Sequence, residues 1–261
     1  MIAPPLVGRN AIVTGGGRGI GAAVTRGLAE AGATVLACSR DASAATELVT
    51  ELSDRGDRAF AFSCDVTDPD SVGAMASYAA ETLGHIDILV NNAGRAHSAP
   101  LHSQTLEEWN RLFAVNVTGT FLCTQTFAPA MAQQGWGRVV NVASIAARTG
   151  LRYVSAYAAS KHAVLGFTRC IAAEMADQGV TVNAICPGYV DTDMTTETVE
   201  RIISKTGMGR EEALASILQT TPQRRLIDPD EVAFIATMLC GDSARGINGQ
   251  AIGIDGGEFL G

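Results

Sequence analysis

Short apolar runs alternate along this chain with longer segments in which apolar residues recur at helical spacing. The runs are continuous in apolar character, which is typical of strands that are buried on both faces of a sheet. They fall at residues 10–14, 33–39, 58–64, 87–94, 137–144, 180–188 and 250–255. Helical segments between successive strands indicate right-handed crossovers and parallel pairing. The pattern predicts an α/β fold, a doubly wound Rossmann-type domain whose parallel sheet has these seven strands and carries helices on both faces.

The helical segments set the expected boundaries of the domain. Helices are predicted near 19–31, 42–55, 106–134, 155–177 and 229–240, with a further one starting near Asp68. The 261 residues contain no repeat, low-complexity tract or linker-like change in composition. We therefore expect one domain over residues 1–261. A polar, irregular zone at about 191–226, between the sixth and seventh strands, is predicted to be a substrate lid.

Composition and charge exclude several classes of function. The net charge is -8 and no long Lys/Arg run occurs, so nucleic-acid binding is not expected. No apolar run approaches the roughly 18 residues of a membrane span, and the start lacks the features of a signal peptide. The six cysteines form no C-x-x-C pair and the four histidines no H-E-x-x-H motif. Reduced thiols, a cytoplasmic location and no metal site are the expectation.

A glycine-rich segment, "TGGGRGIG" at 14–21, directly follows the first strand and opens the first helix. Glycine allows close backbone approach, and a helix N-terminus presents N–H groups to phosphates. An ordinary tight connection would explain the glycines alone. The preceding strand and following helix favour a dinucleotide site.

The end of the second strand bears on the choice of nucleotide. A carboxylate there would bind the ribose 2′-hydroxyl of NAD, whereas an arginine suits the 2′-phosphate of NADP. Ser39 occupies the expected acidic position and Arg40 follows it, while Arg18 could add a second cation. These residues predict NADPH or NADP. NAD stays the alternative, because Asp41 could be the ribose ligand or could simply cap the next helix.

The segment "YAASK" places Tyr157 and Lys161 four residues apart at the start of an apolar helix. Residues at this spacing share a helix face, and a nearby ammonium would favour the phenolate form of tyrosine. A tyrosine activated in this way can transfer protons near neutral pH. Taken alone, the pair could equally be a solvated helix face.

Several motifs occur together in an order that resembles the short-chain dehydrogenase/reductase family, over about residues 6–261. They are "TGGGRGIG" (14–21), "CDVTD" (64–68), "NNAG" (91–94), the asparagine of "FAVNVTG" (113–119), "NVAS" (141–144), "YAASK" (157–161) and "NAICPGYVDTDM" (183–194). The resemblance implies a catalytic tetrad of Asn116, Ser144, Tyr157 and Lys161. In it, Tyr157 would exchange the proton, Ser144 would hold the substrate oxygen, Lys161 would lower the phenol pKa and hold the ribose, and Asn116 would position a water.

The same resemblance implies a wider set of cofactor contacts, with Asp65 and Val66 at the adenine and Thr192 at the nicotinamide carboxamide. Together with the residues inferred above, the predicted cofactor-binding set is Gly15, Gly17, Arg18, Gly19, Ile20, Gly21, Ser39, Arg40, Asp65, Val66, Asn91, Ala93, Gly94, Tyr157, Lys161, Pro187, Gly188, Val190 and Thr192.

The predicted function is an NADPH-dependent ketoreductase acting on a small carbonyl substrate. The segment "NNAGR" and the tyrosine helix resemble those of 3-oxoacyl reductases and polyketide ketoreductases, and this resemblance implies a 3-oxoacyl thioester of CoA or of an acyl-carrier protein as the substrate. The alternatives are an NAD-dependent dehydrogenase of 3-hydroxy acids or of cyclic or aromatic alcohols, and a non-catalytic dinucleotide sensor. The resemblance also implies a homotetramer. The substrate pocket is expected to be walled by residues 95–100, by residues 145–153 and by the lid from Met194 onward. Cations in or beside these segments predict a rim for an acidic substrate tail, unless they pair with surface acids; they are Arg95, Arg148, Arg152, Lys205, Arg210, Arg224 and Arg225.

Overall fold

The computed structural model describes residues 5–260 and confirms the predicted sheet. Seven parallel strands lie in the order β3-β2-β1-β4-β5-β6-β7. The strands are β1 (Asn10–Thr14), β2 (Thr34–Ser39), β3 (Ala59–Ser63), β4 (Ile88–Asn91), β5 (Gly137–Val142), β6 (Val180–Pro187) and β7 (Ala251–Ile254). The ends of the predicted domain, residues 1–4 and 261, lie outside the described residues.

Helices cover both faces of this sheet, as predicted. They are α1 (Gly19–Glu30), α2 (Ser43–Asp54), α3 (Pro69–Leu83), α4 (Leu106–Phe113), α5 (Gly119–Gln134), α6 (Ser155–Glu174), α7 (Asp193–Thr206), α8 (Arg210–Leu218) and α9 (Pro229–Cys240). The start of α3 follows its expected chemistry, since Asp68 caps the helix by accepting from Asp70 N and Pro69 occupies the first turn.

The core has two layers, one on each side of the sheet. Successive strand residues point to opposite faces, so Val13 belongs to the layer under α1 and α9, whereas its neighbour Ile12 belongs to the layer under α3 and α5. Val90 and Leu89 divide in the same way. Because every central strand is buried on both faces, the strands read as continuous apolar runs in the sequence.

The order of the strands reverses between β1 and β4. From β1 the chain continues to β2 on one side, and from β4 it continues to β5 on the other side. In a doubly wound sheet, the crevice at the carboxyl ends of such a strand pair is the place where ligands bind. The two strands are paired in register, with Thr14 opposite Asn91. The turns that follow them therefore lie side by side.

The predicted helix at 106–134 is divided in the structure. Between α4 and α5, residues Ala114–Thr118 form a π-helical turn, and Asn116 is at its centre. A π turn inserts one extra residue per turn into a helix and is frequent at functional sites. Hydrophobic spacing did not predict it, because apolar residues continue through the turn.

The polar zone at 191–226 is more regular than expected. It contains α7 and α8, which pack through a small core of their own around Val199, Ala213 and Ile217. The segment rejoins the sheet through a bridge between Val190 and Ile227. This α7–α8 hairpin follows β6 directly, so it begins at the carboxyl edge where the crevice lies.

Candidate active site

The glycine-rich turn after β1 is shaped by close backbone packing. A Cβ atom on Gly21 would lie 2.0 Å from the Gly15 carbonyl oxygen, and one on Gly17 would lie 2.6 Å from Ala45 N. Gly15 also has a φ of +63°. No side chain is tolerated at these positions without moving the backbone.

The same turn leaves the start of α1 available to an anion. Arg18 is the residue that precedes the helix, and its side chain makes no capping hydrogen bond. The first N–H groups of a helix have no partner within the helix, and they attract phosphate. The predicted pyrophosphate contacts at Gly15, Gly17, Gly19, Ile20 and Gly21 are therefore compatible with this geometry, and they stay predictions.

At the end of β2, the carboxylate of Asp41 is already engaged. Asp41 Oδ1 accepts from Ser43 N at 2.9 Å at the start of α2, and this hydrogen bond lowers the pKa of Asp41. The Ser39 hydroxyl donates to the Asp41 carbonyl oxygen at 2.5 Å. Of the two roles open to Asp41, the structure thus shows a turn-forming one.

Arg18 and Arg40 are exposed beside this strand end. Within residues 5–260, neither guanidinium is in an ion pair, although Arg18 is close enough to Asp41, and Arg40 to Asp65, to contribute to lowering the pKa of those carboxyls. Two guanidiniums without fixed partners fit a phosphate group on the ribose.

The predicted adenine contacts lie in the turn after β3. The carboxylate of Asp65 accepts from Thr67 N at 2.9 Å and from the Thr67 hydroxyl at 2.8 Å, and the backbone hydrogen bond lowers the pKa of Asp65. Val66 is buried, and a Cβ on Gly119 would lie 2.6 Å from its Cγ2. The Asp65 carboxylate is thus held by Thr67 within the turn, and contact of the turn with adenine stays a prediction.

The two asparagines of the NNAG segment have different roles. Asn91, predicted to line the cofactor cleft, is buried and donates to Asn141 Oδ1 at 2.8 Å and to Thr124 Oγ1 at 3.0 Å. Asn92 lines the pocket instead, and its Nδ2 donates to the Thr14 and Gly15 carbonyl oxygens at 3.0 Å. The side-chain alternation along β4 turns Asn91 inward, and Asn92 links β4 to the glycine turn.

Ser144, Tyr157 and Lys161 converge on one pocket, as the motifs predicted. Ser144 follows β5, and the other two residues lie on successive turns of the same face of α6. The Ser144 hydroxyl is close enough to the Tyr157 hydroxyl to lower the pKa of the phenol. Lys161 Nζ donates to the Val142 carbonyl oxygen at 2.8 Å and lies 5.8 Å from the centre of the Tyr157 ring.

Burial is the largest influence on the pKa values of Tyr157 and Lys161. It raises the pKa of the Tyr157 phenol, and the neighbouring Ser144 hydroxyl offsets part of that shift. It also lowers the pKa of the Lys161 ammonium to about 8. The sequence led us to expect that Lys161 lowers the phenol pKa; in this structure desolvation of the phenolate is the larger effect and the net direction is upward.

Asn116 is buried at the π turn and fastens the loop after β4. Its Oδ1 accepts from Arg95 N at 2.9 Å, and its Nδ2 donates to the Arg95 carbonyl oxygen at 3.0 Å and to Ser160 Oγ at 2.9 Å. A Cβ on the adjacent Gly94 would lie 3.5 Å from Lys161 Nζ. The asparagine thus holds this loop against the lysine, while its predicted role toward a water stays a prediction.

Six more of the predicted cofactor-binding residues line the pocket. Ile20, Gly94, Pro187, Gly188, Val190 and Thr192 line it together with the tyrosine and lysine. The three segments that were expected to wall the pocket also contribute to it, with Ala96, His97 and Ser98, with Ile145, Ala146 and Leu151, and with Met194, Thr195, Thr198 and Arg201. Sequence reasoning missed five further lining residues: Asn92, Val142, Ala143, Val154 and Tyr189.

Of the seven cations predicted for a rim, three are paired with carboxylates, which was the alternative interpretation of these residues. Arg95 pairs with Glu108, Arg210 with Glu200, and Arg225 with Glu231. The Arg148 guanidinium lies over the Phe259 ring. Of the seven predicted cations, only Arg95 contributes to the described lining of the pocket, where Arg201 is a cation that the prediction missed.

Residues 5–260 contain neither a candidate metal site nor a candidate membrane span. No three His, Cys, Asp or Glu side chains are grouped so that they could bind a metal ion. No helix in this part of the chain has the length and apolarity to cross a membrane.

Comparison with known proteins identifies the family to which this arrangement belongs. The family model for short chain dehydrogenases matches residues 9–202. The chain belongs to the short-chain dehydrogenase family. As a member of this family, it is an NAD(P)-dependent oxidoreductase acting on CH–OH groups.

This short-chain dehydrogenase has relatives that match it along almost its whole length. It is 37% identical over 254 residues to D-beta-hydroxybutyrate dehydrogenase of Cupriavidus necator, covering 97% of this chain and 98% of that protein. It is 36% identical over 257 residues to 3-oxoacyl-(acyl-carrier-protein) reductase of Synechocystis, with 98% of each covered. A crystal structure of a tryptophan variant of actinorhodin polyketide ketoreductase with NADPH superimposes with a TM-score of 0.92, at 35% identity and 96% and 97% coverage.

Proposed function

We propose that this short-chain dehydrogenase is an NADPH-dependent ketoreductase that interconverts a ketone and a secondary alcohol on a 3-oxoacyl thioester. The observation that carries the proposal is the convergence of Ser144, Tyr157 and Lys161 on a pocket that adjoins the glycine turn. A non-catalytic dinucleotide sensor would have no use for a buried phenol in this position, so we disfavour that alternative.

The preference for NADPH is supported by the end of β2. Asp41 uses its carboxylate on Ser43 N, whereas Arg18 and Arg40 are exposed near the place expected for the ribose. A 2′-phosphate would give these guanidiniums an acceptor, while a free 2′-hydroxyl would find no carboxylate already aimed at it. The related polyketide ketoreductase structure contains NADPH, which agrees with this assignment.

When bound, the nicotinamide would supply hydride to the substrate carbon. Tyr157 would then donate its hydroxyl proton to the carbonyl oxygen, and the neighbouring Ser144 would turn its own hydroxyl proton toward the same oxygen as a second hydrogen-bond donor. Burial keeps the phenol protonated before the reaction, which suits an acid. Lys161 would bind the ribose hydroxyls and place its ammonium near the phenol. Asn116 holds the loop that lines this centre.

The runner-up is an NAD-dependent dehydrogenase of a 3-hydroxy acid or of a cyclic or aromatic alcohol. Its support is the similarity to D-beta-hydroxybutyrate dehydrogenase. The α7–α8 hairpin does not separate the two, because its role as a lid follows only from its place beside the pocket, to which Met194, Thr195 and Thr198 contribute. We propose that this hairpin closes over the substrate in either case.

A cofactor-resolved assay tests the proposal. The N-acetylcysteamine thioester of acetoacetate is a neutral 3-oxoacyl probe, and we expect its reduction with NADPH to exceed that with NADH in kcat/KM. Preference for NADH, or oxidation of 3-hydroxybutyrate with NAD at far higher efficiency, would favour the runner-up. No turnover of any ketone or alcohol with either nucleotide would leave the sensor hypothesis.

We further propose a cytoplasmic homotetramer. An exposed apolar surface on α4, α5 and α6 supports assembly: Trp109 stacks on Phe113 at 4.8 Å and Phe121 meets Phe167 edge-on at 6.3 Å. Trp109 and Phe121 are exposed over 37% and 41% of their surfaces. Pairing across twofold axes would bury them. Light scattering at micromolar concentration should give the tetramer mass, and a monomer mass would reject this proposal.

A further inference from the structure

The lining of the pocket is unbalanced in charge. Among the described residues, it contains no aspartate or glutamate, whereas two arginines and one lysine contribute to it: Arg95, Arg201 and Lys161. The Arg95 guanidinium is paired with Glu108 at 2.6 Å, and Lys161 belongs to the reacting centre. Arg201 is left as a cation to which neither an ion pair nor the proposed mechanism gives a role.

Arg201 does not form the ion pair that its position on α7 would allow. Glu197 precedes it by one helical turn, the spacing at which glutamate and arginine pair on a helix. Within the described part of the chain, however, no carboxylate lies within ion-pair distance of Arg201. The side chain reaches instead to the loop after β4, where its Nη1 donates to Ser98 Oγ at 3.1 Å.

The contact with Ser98 leaves several donors free. A guanidinium has five N–H donors, and Ser98 takes one of them. Because the Ser98 hydroxyl accepts from Arg201, its own proton can be donated elsewhere, and both side chains line the pocket. Both are also partly buried, where screening by salt is weak. A planar fork with an adjacent hydroxyl matches the oxygen atoms of a carboxylate or a phosphate.

We infer that Arg201 and Ser98 bind an anionic oxygen group carried by the substrate, and so select ketones with a carboxylate or phosphate over neutral ketones. The inference rests on the proposed ketoreductase function and adds the determinant of its substrate class. The site joins α7 to the loop after β4, so binding of the anion would also tie the α7–α8 hairpin to the body of the protein.

The first experiment measures selectivity with two matched pairs of ketones. For the phosphate source, acetoacetyl-CoA is compared with the acetoacetyl thioester of N-acetylcysteamine; for the carboxylate source, 7-oxooctanoate is compared with its methyl ester. We expect the wild type to prefer the anionic member of at least one pair. Arg201→Gln should lower that ratio of kcat/KM values by roughly 10- to 100-fold, the range for a charged hydrogen-bonded contact.

The pair whose ratio falls identifies the source of the anion. Arg210→Gln is the matched control, since Arg210 is on the same hairpin but pairs with Glu200 outside the pocket lining; it should keep the wild-type ratio. A purely structural tie between Arg201 and Ser98 would lower both members of a pair together. Equal ratios in the wild type and in Arg201→Gln, for both pairs, would overturn the inference even if the neutral thioester is reduced well.

A binding measurement keeps the inference testable if catalysis is absent. Calorimetry on the NADP-saturated protein would compare 7-hydroxyoctanoate and 3-hydroxybutyryl-CoA as ligands of the wild type, Arg201→Gln and Ser98→Ala. We expect at least one ligand to bind about 10-fold or more weakly to Arg201→Gln. Unchanged dissociation constants for both ligands in both variants would overturn the inference, whereas absence of turnover alone would count only against the proposed function.

Discussion

The two ends of the crevice are built in different ways. At the nucleotide end, the turn after β1 is defined by backbone contact, such as the 2.0 Å that would separate a Gly21 Cβ from the Gly15 carbonyl oxygen. At the substrate end, the α7–α8 hairpin is held by a small side-chain core around Val199 and Ala213 and by the Arg201–Ser98 contact. Backbone contacts demand one residue type, whereas side-chain packing accepts many. Substitutions at the nucleotide end should therefore be damaging, whereas the substrate end should tolerate them.

The largest effect is expected where the two ends meet, at Tyr157. Tyr157→Phe removes the hydroxyl beside Ser144, and with it the proton donor. We expect kcat/KM to fall by roughly 10²- to 10⁴-fold, the usual range for general acid–base catalysis, with NADPH affinity and melting temperature retained. Steady-state kinetics and a thermal melt check this. Turnover near the wild-type rate would remove Tyr157 from the mechanism.

A pair of glycine substitutions contrasts the two ends directly. Gly21→Ala forces a Cβ against the Gly15 carbonyl oxygen, so we expect a loss of about 3 kcal/mol in stability and of most NADPH affinity. Gly207→Ala, after α7, enters open space and has only the cost of its φ of +75°, about 1 kcal/mol. Urea unfolding and NADPH fluorescence titration measure both quantities. Equal losses for the two variants would contradict the comparison.

The nucleotide end can be sharpened through Arg40. Loss of its guanidinium in Arg40→Ala should remove most of the preference for NADPH and leave NADH use close to that of the wild type. A charged contact of about 1.5–3 kcal/mol corresponds to a change of roughly 10- to 150-fold in the ratio of kcat/KM values. Arg58→Ala serves as the control, because Arg58 directly precedes β3 and so lies at the end of the strand away from the crevice. A preference that survives Arg40→Ala would transfer the role to Arg18 or to another group.

The reacting centre should also leave a mark on stability. Burial lowers the pKa of Lys161 from an unfolded value near 10.5 to about 8. The unfolded chain therefore binds the proton more tightly, so this lysine destabilises the fold most below pH 8, and the loss disappears as the pH rises toward 10.5.

Comparison with Lys161→Met isolates that contribution. The unfolding free energy of the wild type minus that of the variant should rise by about 2 kcal/mol between pH 7 and pH 9.5, because other groups cancel in the difference. Urea titrations at the two pH values provide the measurement. A difference that is flat, or that falls with pH, would show that Lys161 is not desolvated in the folded protein.

Sequence patterns predicted the regions in which backbone geometry restricts the choice of residue. The seven strands and the glycine turn belong to this group. The patterns missed features that depend on local packing. The π turn at Asn116 lies inside an unbroken apolar helix pattern, and the inward orientation of Asn91 depends on where β4 ends.

Charged residues were the hardest to assign from sequence. Spacing alone suggested a cationic rim that included Arg95 and Arg210, but each of them has an acidic partner supplied by another element or a distant turn. Arg201 was not among the cations predicted for the pocket, and only the fold brings it to Ser98. Such pairings are long-range contacts, which helical periodicity does not encode.

Isotope transfer tests the central claim of hydride chemistry most directly. The acetoacetyl thioester of N-acetylcysteamine would be incubated with the protein and NADPH that carries one deuterium at C4. The two C4 epimers, which carry the deuterium on opposite faces of the ring, would be used in separate reactions. We predict that one epimer delivers a single deuterium to the carbinol carbon, seen by mass spectrometry, and that Tyr157→Phe forms the labelled alcohol at least about 100-fold more slowly. An unlabelled alcohol from both epimers, or no alcohol at all from the wild type, would contradict the account.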